Sequence, residues 1–483
     1  MIAPRASGST GAMSENLYEL LASRFPADPD APCFLLRDGR AISYGQLADG
    51  AARSATLMIQ RGVQPGDRVV LKAEKSCQAV IVYLATLMAG AVFTPLNTAY
   101  TDAEVAYFVG DAEPKLVLTD PVAFVAEATA CAPLAAAVPR TADDLASLIY
   151  TSGTTGRSKG AMLSHGNLAA NALALHEIWG FSERDVLLHA LPIFHVHGLF
   201  VALHCAFLSG APMVWLEKFE ERAVVEGLAR STVMMGVPTF YTRLLASPEF
   251  TGERAAHMRL FICGSAPLLD STFAEFEQRT GQKILERYGM SEAVIITSNP
   301  LEGERVAGSV GFPLPGVELR IEGGETGVIQ IRGPSVFSGY WRMPQKTAEE
   351  FTPDGYFITG DVGRQDADGR VWISGRAKDL VISGGFNVYP KEIELVLDEL
   401  PGIAESAVIG CPHPDFGEGV VAVVIGEGDE AAVIAAARQK LAGFKAPKRV
   451  FFVADLPRNA MGKVQKNLLR ERYAEAFTGA PSS

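Results

Sequence analysis

Two hydrophobic patterns follow one another along the first part of the chain. Short uninterrupted apolar runs are typical of strands buried on both faces, and the longer segments between them have apolar residues three and four positions apart, as helices do. Residues 69–71, 79–88 and 91–96 give a clear strand, helix and strand in succession. This alternation predicts helices packed on a largely parallel sheet.

The stretch from Ser76 to Thr101 contains no charged residue and is long enough to cross a membrane. Gly90, Pro95 and Asn97 interrupt it, and it divides into the helix and the strand just described. We therefore predict a buried part of the α/β core and no membrane association.

The pattern changes twice in the second half of the chain. Residues 308–375 are short apolar segments separated by turn signals such as Asp354-Gly355 and Asp368-Gly369, which predicts a β-barrel region. After residue 379, about 95 residues return to alternating strands and helices, a plausible size for a separate small domain. Residues 121–144 are rich in alanine and weakly patterned, and we interpret them as a connector. The predicted fold is α/β, with a large N-terminal domain of mostly parallel sheets plus the β-barrel region, and a small α+β C-terminal domain.

Composition narrows the range of functions. The chain has 483 residues and a net charge of −12, which predicts two or more domains and disfavours a nucleic-acid partner. The six cysteines are scattered without a CxxC pair, so neither a disulfide framework nor a zinc site is expected. With no segment resembling a signal peptide, a cytoplasmic location is the expectation, and residues 1–12 are predicted to be a disordered extension.

A loop rich in Gly, Ser and Thr stands out between two apolar runs. Thr151-Ser152-Gly153-Thr154-Thr155-Gly156 is followed by Arg157-Ser158-Lys159-Gly160, so small residues can turn backbone N–H groups toward one point while Lys159 adds a mobile charge. This combination is typical of a phosphate cradle. It is not a Walker A loop, because the end reads Ser158-Lys159-Gly160. The alternative is a flexible polar linker.

Five separate stretches carry a resemblance to a known family. They are residues 150–160 and the sequences Tyr288-Gly-Met-Ser-Glu292, Tyr356-Phe-Ile-Thr-Gly-Asp361, Gly375-Arg-Ala-Lys-Asp379 and Asn459-Ala-Met-Gly-Lys463. In order and spacing they resemble the superfamily of acyl- and aryl-CoA synthetases, luciferases and peptide-synthetase adenylation domains. The resemblance implies a two-step reaction, in which a carboxylate and ATP give an acyl-adenylate and pyrophosphate, and the thiol of CoA then displaces AMP.

The resemblance also implies roles for individual residues. ATP, Mg²⁺ and CoA are the expected cofactors, with Thr155 and Glu292 on the metal and Lys463, His195, Thr155 and Glu292 in catalysis. Residues 13–375 would form the adenylating domain, 376–379 a hinge centred on Lys378, and 380–483 a mobile domain that brings Gly384, Gly385 and Phe386 to CoA. The implied nucleotide contacts are Thr151, Ser152, Gly153, Thr154, Thr155, Gly156, Lys159, Gly264, Ser265, Ala266, Glu286, Tyr288, Gly289, Ser291, Asp361 and Arg376.

Four further stretches, residues 95–101, 189–198, 237–245 and 258–269, together with the serine at position 158, resemble the malonyl-CoA synthetases within that superfamily. The resemblance implies that Arg243 and Arg287 hold the carboxylate that does not react, beside Ser265 and Met290. A guanidinium matches a carboxylate bidentately and is costly to bury unpaired, which disfavours a fatty acid. The alternative is that either arginine pairs with a nearby acid such as Glu286. The apolar sequence 293–296 departs from the usual pattern, so methylmalonate or a somewhat larger dicarboxylate is also expected as a substrate.

Several other functions remain open. The same chemistry would suit a short- or medium-chain monocarboxylate–CoA ligase, and a non-catalytic acyl-nucleotide-binding protein would belong to a different class. A peptide-synthetase module is less expected, because no carrier domain follows residue 473. His195 and His197 stand two apart, as some metal ligands do, but no third ligand is evident. The expected partners are small molecules, and the sequence does not predict an oligomeric state.

Overall fold

The computed structural model describes residues 14–151, 158–384, 386–459 and 462–477. The predicted extension 1–12, Ser152–Gly156 of the phosphate loop, and Gly385 lie outside the described residues. The described strands form three sheets, two made of strands before residue 377 and one made of strands after residue 380. The predicted α/β class, with a large N-terminal part and a smaller C-terminal part, is confirmed.

The first part of the chain forms a five-stranded sheet in the order β5-β3-β4-β6-β7, parallel except for the antiparallel pair β6–β7. The elements are α1 (Leu17–Ala22), β1 (Pro32–Leu35), β2 (Ala41–Ser43), α2 (Tyr44–Gln60), β3 (Arg68–Leu71), α3 (Cys77–Met88), β4 (Val92–Pro95), α4 (Asp102–Ala112), β5 (Leu116–Leu118), α5 (Pro121–Ala128), β6 (Leu145–Thr151) and β7 (Lys159–Ser164). Strands β1 and β2 belong to the second sheet.

Helices α3 and α5 show where the sequence predictions succeeded and failed. Ser76 caps α3, and every residue of that helix except Gln78 is buried, so the uncharged stretch is core as predicted. Among the described residues, no helix has the length and apolar character needed to span a membrane. The connector prediction for 121–144 missed α5, which begins where Asp120 accepts a hydrogen bond from the backbone of Ala123 and Pro121 occupies the first turn.

The next part of the chain supplies the parallel half of a 13-stranded sheet, in the order β12-β11-β10-β8-β9-β1, with the antiparallel strand β2 at its edge. Its elements are α6 (His165–Ile178), β8 (Leu187–His189), a π-helix (His197–Ala202), α7 (Leu203–Ser209), β9 (Met213–Trp215), α8 (Glu221–Leu228), β10 (Val233–Gly236), α9 (Pro238–Ala246), α10 (Gly252–Ala255), β11 (Leu260–Cys263), α11 (Asp270–Thr280), β12 (Leu285–Tyr288) and β13 (Thr297–Ser298).

The region predicted to be a barrel continues this same sheet in antiparallel fashion. Beyond β13 the order is β14-β18-β17-β16-β15, formed by β14 (Ser309–Pro313), β15 (Glu318–Glu322), β16 (Thr326–Arg332), α12 (Pro344–Glu349), β17 (Phe357–Gln365) and β18 (Val371–Arg376). Among the described residues this order is open, and no pairing of β15 closes a barrel. The short strands and turns were predicted correctly, but the closed barrel was not.

The last part of the chain has its own sheet and its own core. A 3₁₀ turn (Ala377–Asp379) leads into β19 (Val381–Ser383), β20 (Phe386–Val388), α13 (Pro390–Leu397), β21 (Ile403–His413), β22 (Gly417–Gly426), α14 (Glu430–Lys440), β23 (Arg449–Val453) and α15 (Lys466–Arg472). The sheet order is β20-β19-β22-β21, with β23 parallel to β22. The buried faces of β21, β22, α13 and α14 pack together.

Candidate active site

The carboxyl ends of the parallel strands β8, β10, β11 and β12 meet at one edge of the large sheet. Ligands bind at such edges in open α/β sheets. The Gly264-Ser265-Ala266 segment follows β11 there, and the N–H of Gly264 donates to the carbonyl of Gly236 at 3.3 Å. Ser265 has a φ of 72°, a left-handed conformation that is uncommon for serine and often marks a functional turn.

Arg287 lies at this edge of the sheet, near the carboxyl end of β12. Residues 286–288 belong to β12, which pairs with β11 and β13. The Arg287 side chain is 4% exposed, and its Nε and Nη2 atoms have no hydrogen-bond partner among the described residues. A Cβ added to Gly264 would lie 2.5 Å from the Arg287 Cζ, so the guanidinium fits because residue 264 has no side chain. Burial lowers the pKa of Arg287 to about 10.

Glu286 does not neutralise Arg287. Successive side chains of a strand point to opposite faces, and Glu286 accepts a hydrogen bond from the backbone of Gly308 at 3.2 Å on its own side. Burial, and secondarily the nearby charge of Asp270, raise the pKa of Glu286 to about 8. The sequence alternative in which Arg287 pairs with Glu286 is therefore wrong. The predicted nucleotide contact of Glu286 stays a prediction.

Two histidines lie near the Arg287 guanidinium. His197 is buried in the first turn of the π-helix, its Nδ1 lies 3.3 Å from the Ser265 hydroxyl, and its Nε2 has no partner within the described ranges. Burial and then the charge of Arg287 hold the pKa of His197 well below its usual range. His195 is partly exposed, and burial, Lys463 and Arg287 lower its pKa to about 4. Both imidazoles are neutral at physiological pH, and no metal-binding cluster of His, Cys, Asp or Glu occurs among the described residues.

Asp361, in the middle of β17, contacts residues at the ends of β12 and β18. It is opposite Arg376 in the strand register, and the Arg376 Nε lies 2.7 Å from its Oδ1. The hydroxyl of Tyr288 donates a short hydrogen bond to the other carboxylate oxygen. Burial raises the pKa of Asp361, whereas Arg376 opposes that shift. The structure thus brings together three of the residues that the resemblance assigned to the nucleotide.

Lys159 and Glu292 are linked through two residues that the sequence analysis did not single out. The Lys159 Nζ lies 2.9 Å from a Glu350 oxygen and 3.9 Å from the centroid of the Tyr340 ring. The Tyr340 hydroxyl lies 2.7 Å from the other Glu350 oxygen and 3.1 Å from Glu292. Burial raises the pKa of Glu292. Nothing in the local sequence marks Tyr340 or Glu350. In the structure, Gly339 before Tyr340 is closely packed, since a Cβ there would lie 2.5 Å from Thr347.

Lys463 reaches this edge from the C-terminal part of the chain. Surrounding protein lowers its pKa, the charge of Arg376 adds to that effect, and Glu292 and Asp361 oppose it. Lys463 is exposed, and its charge helps to lower the pKa of His195, so the ammonium lies near that histidine. Its backbone N–H donates to the Asn459 side chain at 3.0 Å, which fixes the turn that carries it.

The predicted hinge and CoA residues lie farther along the same part of the chain. Lys378 occupies the 3₁₀ turn after β18, and the neighbouring Asp379 pairs with Arg470 of α15 at 2.7 Å. Gly384 has a φ of 60° and donates to the carbonyl of Phe416, while Phe386 is 54% exposed and stacks on Phe444. No contact of the described residues joins Phe386 to Lys463.

The remaining predicted residues are distributed around the edge. Arg243 is exposed on α9, with its Cζ 5.9 Å from the ring centroid of Phe219, so it does not share the burial of Arg287. Ala266 is exposed, and Met290 and Ser291 are partly buried. Gly289 is required by a tight turn, because a Cβ there would lie 1.9 Å from the Val294 carbonyl oxygen.

Residues 293–296 are each no more than 1% exposed and belong to the main hydrophobic core. Packing therefore accounts for their apolar character without reference to the size of the acid.

Comparison with known proteins identifies the family. The model for AMP-binding enzymes matches residues 21–341, and the model for the C-terminal domain of AMP-binding enzymes matches residues 392–463. The malonate–CoA ligase of Arabidopsis thaliana is 35% identical over 90% of this chain and 85% of that protein. The sulfoacetate–CoA ligase of Cupriavidus necator is 34% identical over 94% of this chain and 97% of that protein.

A solved structure gives the same result. ATP-bound MatB from Rhodopseudomonas palustris is similar with a TM-score of 0.91 and 51% identity, over 96% of this chain and 100% of that chain. The predicted membership of the adenylating superfamily is confirmed, and the chain belongs to the family of AMP-binding enzymes.

Proposed function

We propose that this protein is an AMP-forming ligase that converts malonate, or a close dicarboxylate such as methylmalonate, ATP and CoA to the acyl-CoA, AMP and pyrophosphate. The observation that carries the proposal is the buried Arg287, whose Nε and Nη2 lack partners among the described residues. A buried guanidinium is stable when it meets an anion, and the second carboxylate of a diacid supplies one. The relatives named for malonate and sulfoacetate support it, since both acids carry a second anionic group.

The first step joins two anions, so it depends on positive charge placed in advance. One carboxylate oxygen of the acid attacks the α-phosphorus of ATP, and pyrophosphate leaves with the electron pair of the broken P–O bond. Lys463 would lie between the carboxylate and the α-phosphate, where Arg376 and His195 are its neighbours. Arg287 would hold the other carboxylate away from the phosphate, together with the exposed Arg243 of α9.

The nucleotide would be held along the edge built by β12 and β17. Asp361 would accept the ribose hydroxyls, with Arg376 reaching the same sugar and Tyr288 and residues 264–266 flanking the adenine. Thr151 and Lys159 would bind the phosphates together with residues 152–156. This assignment is supported by the convergence of Tyr288, Asp361 and Arg376.

The donor set fits Mg²⁺. Glu292 is a buried carboxylate that accepts a hydrogen bond from the hydroxyl of Tyr340 at 3.1 Å, so oxygen lone pairs remain for a hard cation. When bound with the nucleotide, Mg²⁺ neutralises phosphate charge. Glu292 would hold it with Thr155, and Tyr340 would orient the Glu292 carboxylate.

The second step uses the same site with a different face of the C-terminal domain. The CoA sulfur attacks the acyl carbon, AMP leaves, and the thiol proton is released to solvent. We propose residues 376–379 as the hinge, so that rotation about Lys378 withdraws Lys463 and brings in residues 384–386. The exposed Phe386 and the placement of Lys463 at the site fit the adenylate-forming arrangement.

Pyrophosphate release with a panel of acids tests the proposal. Malonate, methylmalonate, sulfoacetate, propionate and octanoate are each supplied with ATP, Mg²⁺ and CoA. Turnover with malonate or methylmalonate that disappears in Lys463→Ala is the expected result. Turnover with the monocarboxylates alone would instead support the monocarboxylate ligase, and no turnover with any acid would leave a nucleotide-binding protein.

A further inference from the structure

Lys75 is a buried lysine outside every stretch considered so far. It lies between β3 and α3, where the five-stranded sheet meets the ends of β8 and β9 of the large sheet. Its Nζ lies 2.9 Å from the His189 Nδ1, 2.8 Å from the His189 carbonyl oxygen and 2.6 Å from the Leu216 carbonyl oxygen. The ammonium also lies 4.0 Å from the centroid of the Trp215 ring. Lys75 thus ties together the carboxyl ends of two strands at the edge that carries the site.

The hydrogen bonds of His189 show which nitrogen atoms of His189 and Lys75 carry protons. The His189 Nε2 lies 3.0 Å from the carbonyl oxygen of Gly198, which can only accept, so Nε2 carries a proton. Burial and then the charge of Lys75 hold the pKa of His189 well below its usual range, so the ring is neutral and Nδ1 accepts. Burial lowers the pKa of Lys75, but three acceptors surround its Nζ and match the full donor capacity of an ammonium group, which favours the charged form.

The hydrogen bond from His189 reaches the segment that carries the site histidines. Gly198 lies at the start of the π-helix, and a Cβ there would lie 2.0 Å from the Pro192 carbonyl oxygen, so the chain folds back tightly on itself. The next residue, Leu199, donates its N–H to the carbonyl of His195 at 3.0 Å. Gly198 is therefore the point at which residues 192–198, with His195 and His197, are tied to β8.

We propose that Lys75 is a positioning residue for the acid site, which acts through His189 to hold residues 192–198 in place. The inference rests on the proposed function, because His195 and His197 line the site beside Arg287. Lys75 itself touches neither substrate nor nucleotide. Removal of the Lys75 side chain leaves His189 free to change tautomer and so to release the Gly198 carbonyl. Residues 192–198 would then hold His195 and His197 less firmly beside the acid.

The test compares Lys75→Met with Lys72→Met. Lys72 is a control on the same segment, since it donates to the Tyr100 carbonyl at 2.9 Å and does not contact His189. In Lys75→Met we expect the KM for the acid to rise on the order of tenfold while the KM for ATP stays within about twofold. Lys72→Met is expected to leave both values unchanged. Equal rises for acid and ATP, or an unchanged KM for the acid in folded protein, would overturn the proposal.

Hydrogen exchange followed by mass spectrometry supplies a second readout that needs no substrate. Peptides covering residues 192–203 are expected to exchange faster in Lys75→Met, whereas peptides covering β16 are expected to match the wild type. If Lys75→Met does not fold, the same exchange measurement is made on His189→Leu, because that substitution removes the connection between Lys75 and the Gly198 carbonyl at His189. Unchanged exchange over residues 192–203 in the folded variant would contradict the positioning role, whichever acid the wild-type enzyme uses.

Discussion

Arg287 is a residue whose placement makes the folded protein less stable than it could be. Its guanidinium is buried, and two of its nitrogens lack a partner among the described residues. A buried charge without a counter-charge costs free energy that a bound anion returns. We therefore expect Arg287→Met to raise the free energy of unfolding of the free enzyme by about 1–3 kcal/mol, as measured by chemical denaturation.

Arg259 provides a matched control for that measurement. Its Nε pairs with the buried Asp185 at 2.6 Å, and its Nη1 donates to the Trp179 carbonyl at 3.0 Å. Arg259→Met leaves Asp185 without its partner and should lower the free energy of unfolding by about 3 kcal/mol. Destabilisation of both variants alike would show that Arg287 has a partner in the folded enzyme.

Glu286 gives a pH-dependent prediction at the same scale. Burial raises its folded pKa from 4.5 to about 8, so between these values the native state holds a proton that the unfolded chain has released. Stability should therefore fall as the pH rises through this window, by at most about 1.4 kcal/mol per pH unit, and the loss should end above pH 8. Denaturation at several pH values should give a shallower decline in Glu286→Gln than in the wild type.

Glu318→Gln is the control for Glu286. The Arg332 guanidinium lowers the pKa of the exposed Glu318, so that residue is ionised throughout the same window. Its substitution should leave the wild-type decline unchanged. An equal decline in wild type and Glu286→Gln would contradict the assignment.

At the scale of elements, the hairpin β6–β7 depends on the end of helix α12. Glu350, just beyond α12, binds Lys159 and shares the Tyr340 hydroxyl with Glu292. Glu350→Gln removes the charge that holds the long Lys159 side chain in one place. We expect the KM for ATP to rise about fivefold with little change in the KM for the acid.

The neighbouring Glu349 is the control for this prediction. Its carboxylate contacts Lys346 at 3.1 Å on the surface of α12 and does not reach Lys159. Glu349→Gln should leave the KM for ATP unchanged. A lower KM for ATP in Glu350→Gln would mean that Glu350 competes with the phosphates for Lys159.

Most elements could be predicted from the sequence because local signals agreed with the tertiary structure. Ser43, Ser76 and Ser164 cap the helices that follow them, and buried runs such as 69–71 became parallel strands. The local sequence pattern did not show whether the strands of residues 308–375 close into a barrel, because the same short strands suit a barrel or an open sheet. Two charged residues, Glu286 and Arg287, lie in β12, and local pattern does not predict their burial because it depends on distant partners such as Gly308, which donates to Glu286.

At the scale of the whole molecule, one chain places residues from two parts with separate sheets at one edge. Lys463 comes from a turn after β23, whereas Asp361 and Arg376 come from the large sheet. Lys463→Ala should lower the rate of adenylate formation by on the order of 10²-fold or more, because it removes the charge between two anions. Thioester formation from preformed acyl-adenylate and CoA should continue at close to the wild-type rate. Equal loss in both half-reactions would contradict a role confined to the first step.

The family motifs allowed this long-range assembly to be predicted, whereas physical reasoning from the sequence alone did not. Lys159, Asp361 and Lys463 are far apart along the chain, and nothing in their local sequence shows that they belong to one site. Tyr340, Glu350 and Lys75 escaped notice because their roles arise from contacts across the fold. Arg243 remains a prediction, as its exposed position on α9 differs from the buried position of Arg287.

The most direct test of the central claim is the ratio of kcat/KM for malonate to kcat/KM for propionate, measured in wild type and in Arg287→Met. The two acids differ mainly in the second carboxylate, so the ratio isolates the group that Arg287 would bind. The proposed function predicts a ratio well above one in the wild type and a fall of on the order of 10²-fold in Arg287→Met, caused mainly by a loss with malonate. A ratio that is the same in both proteins would show that Arg287 does not select the diacid.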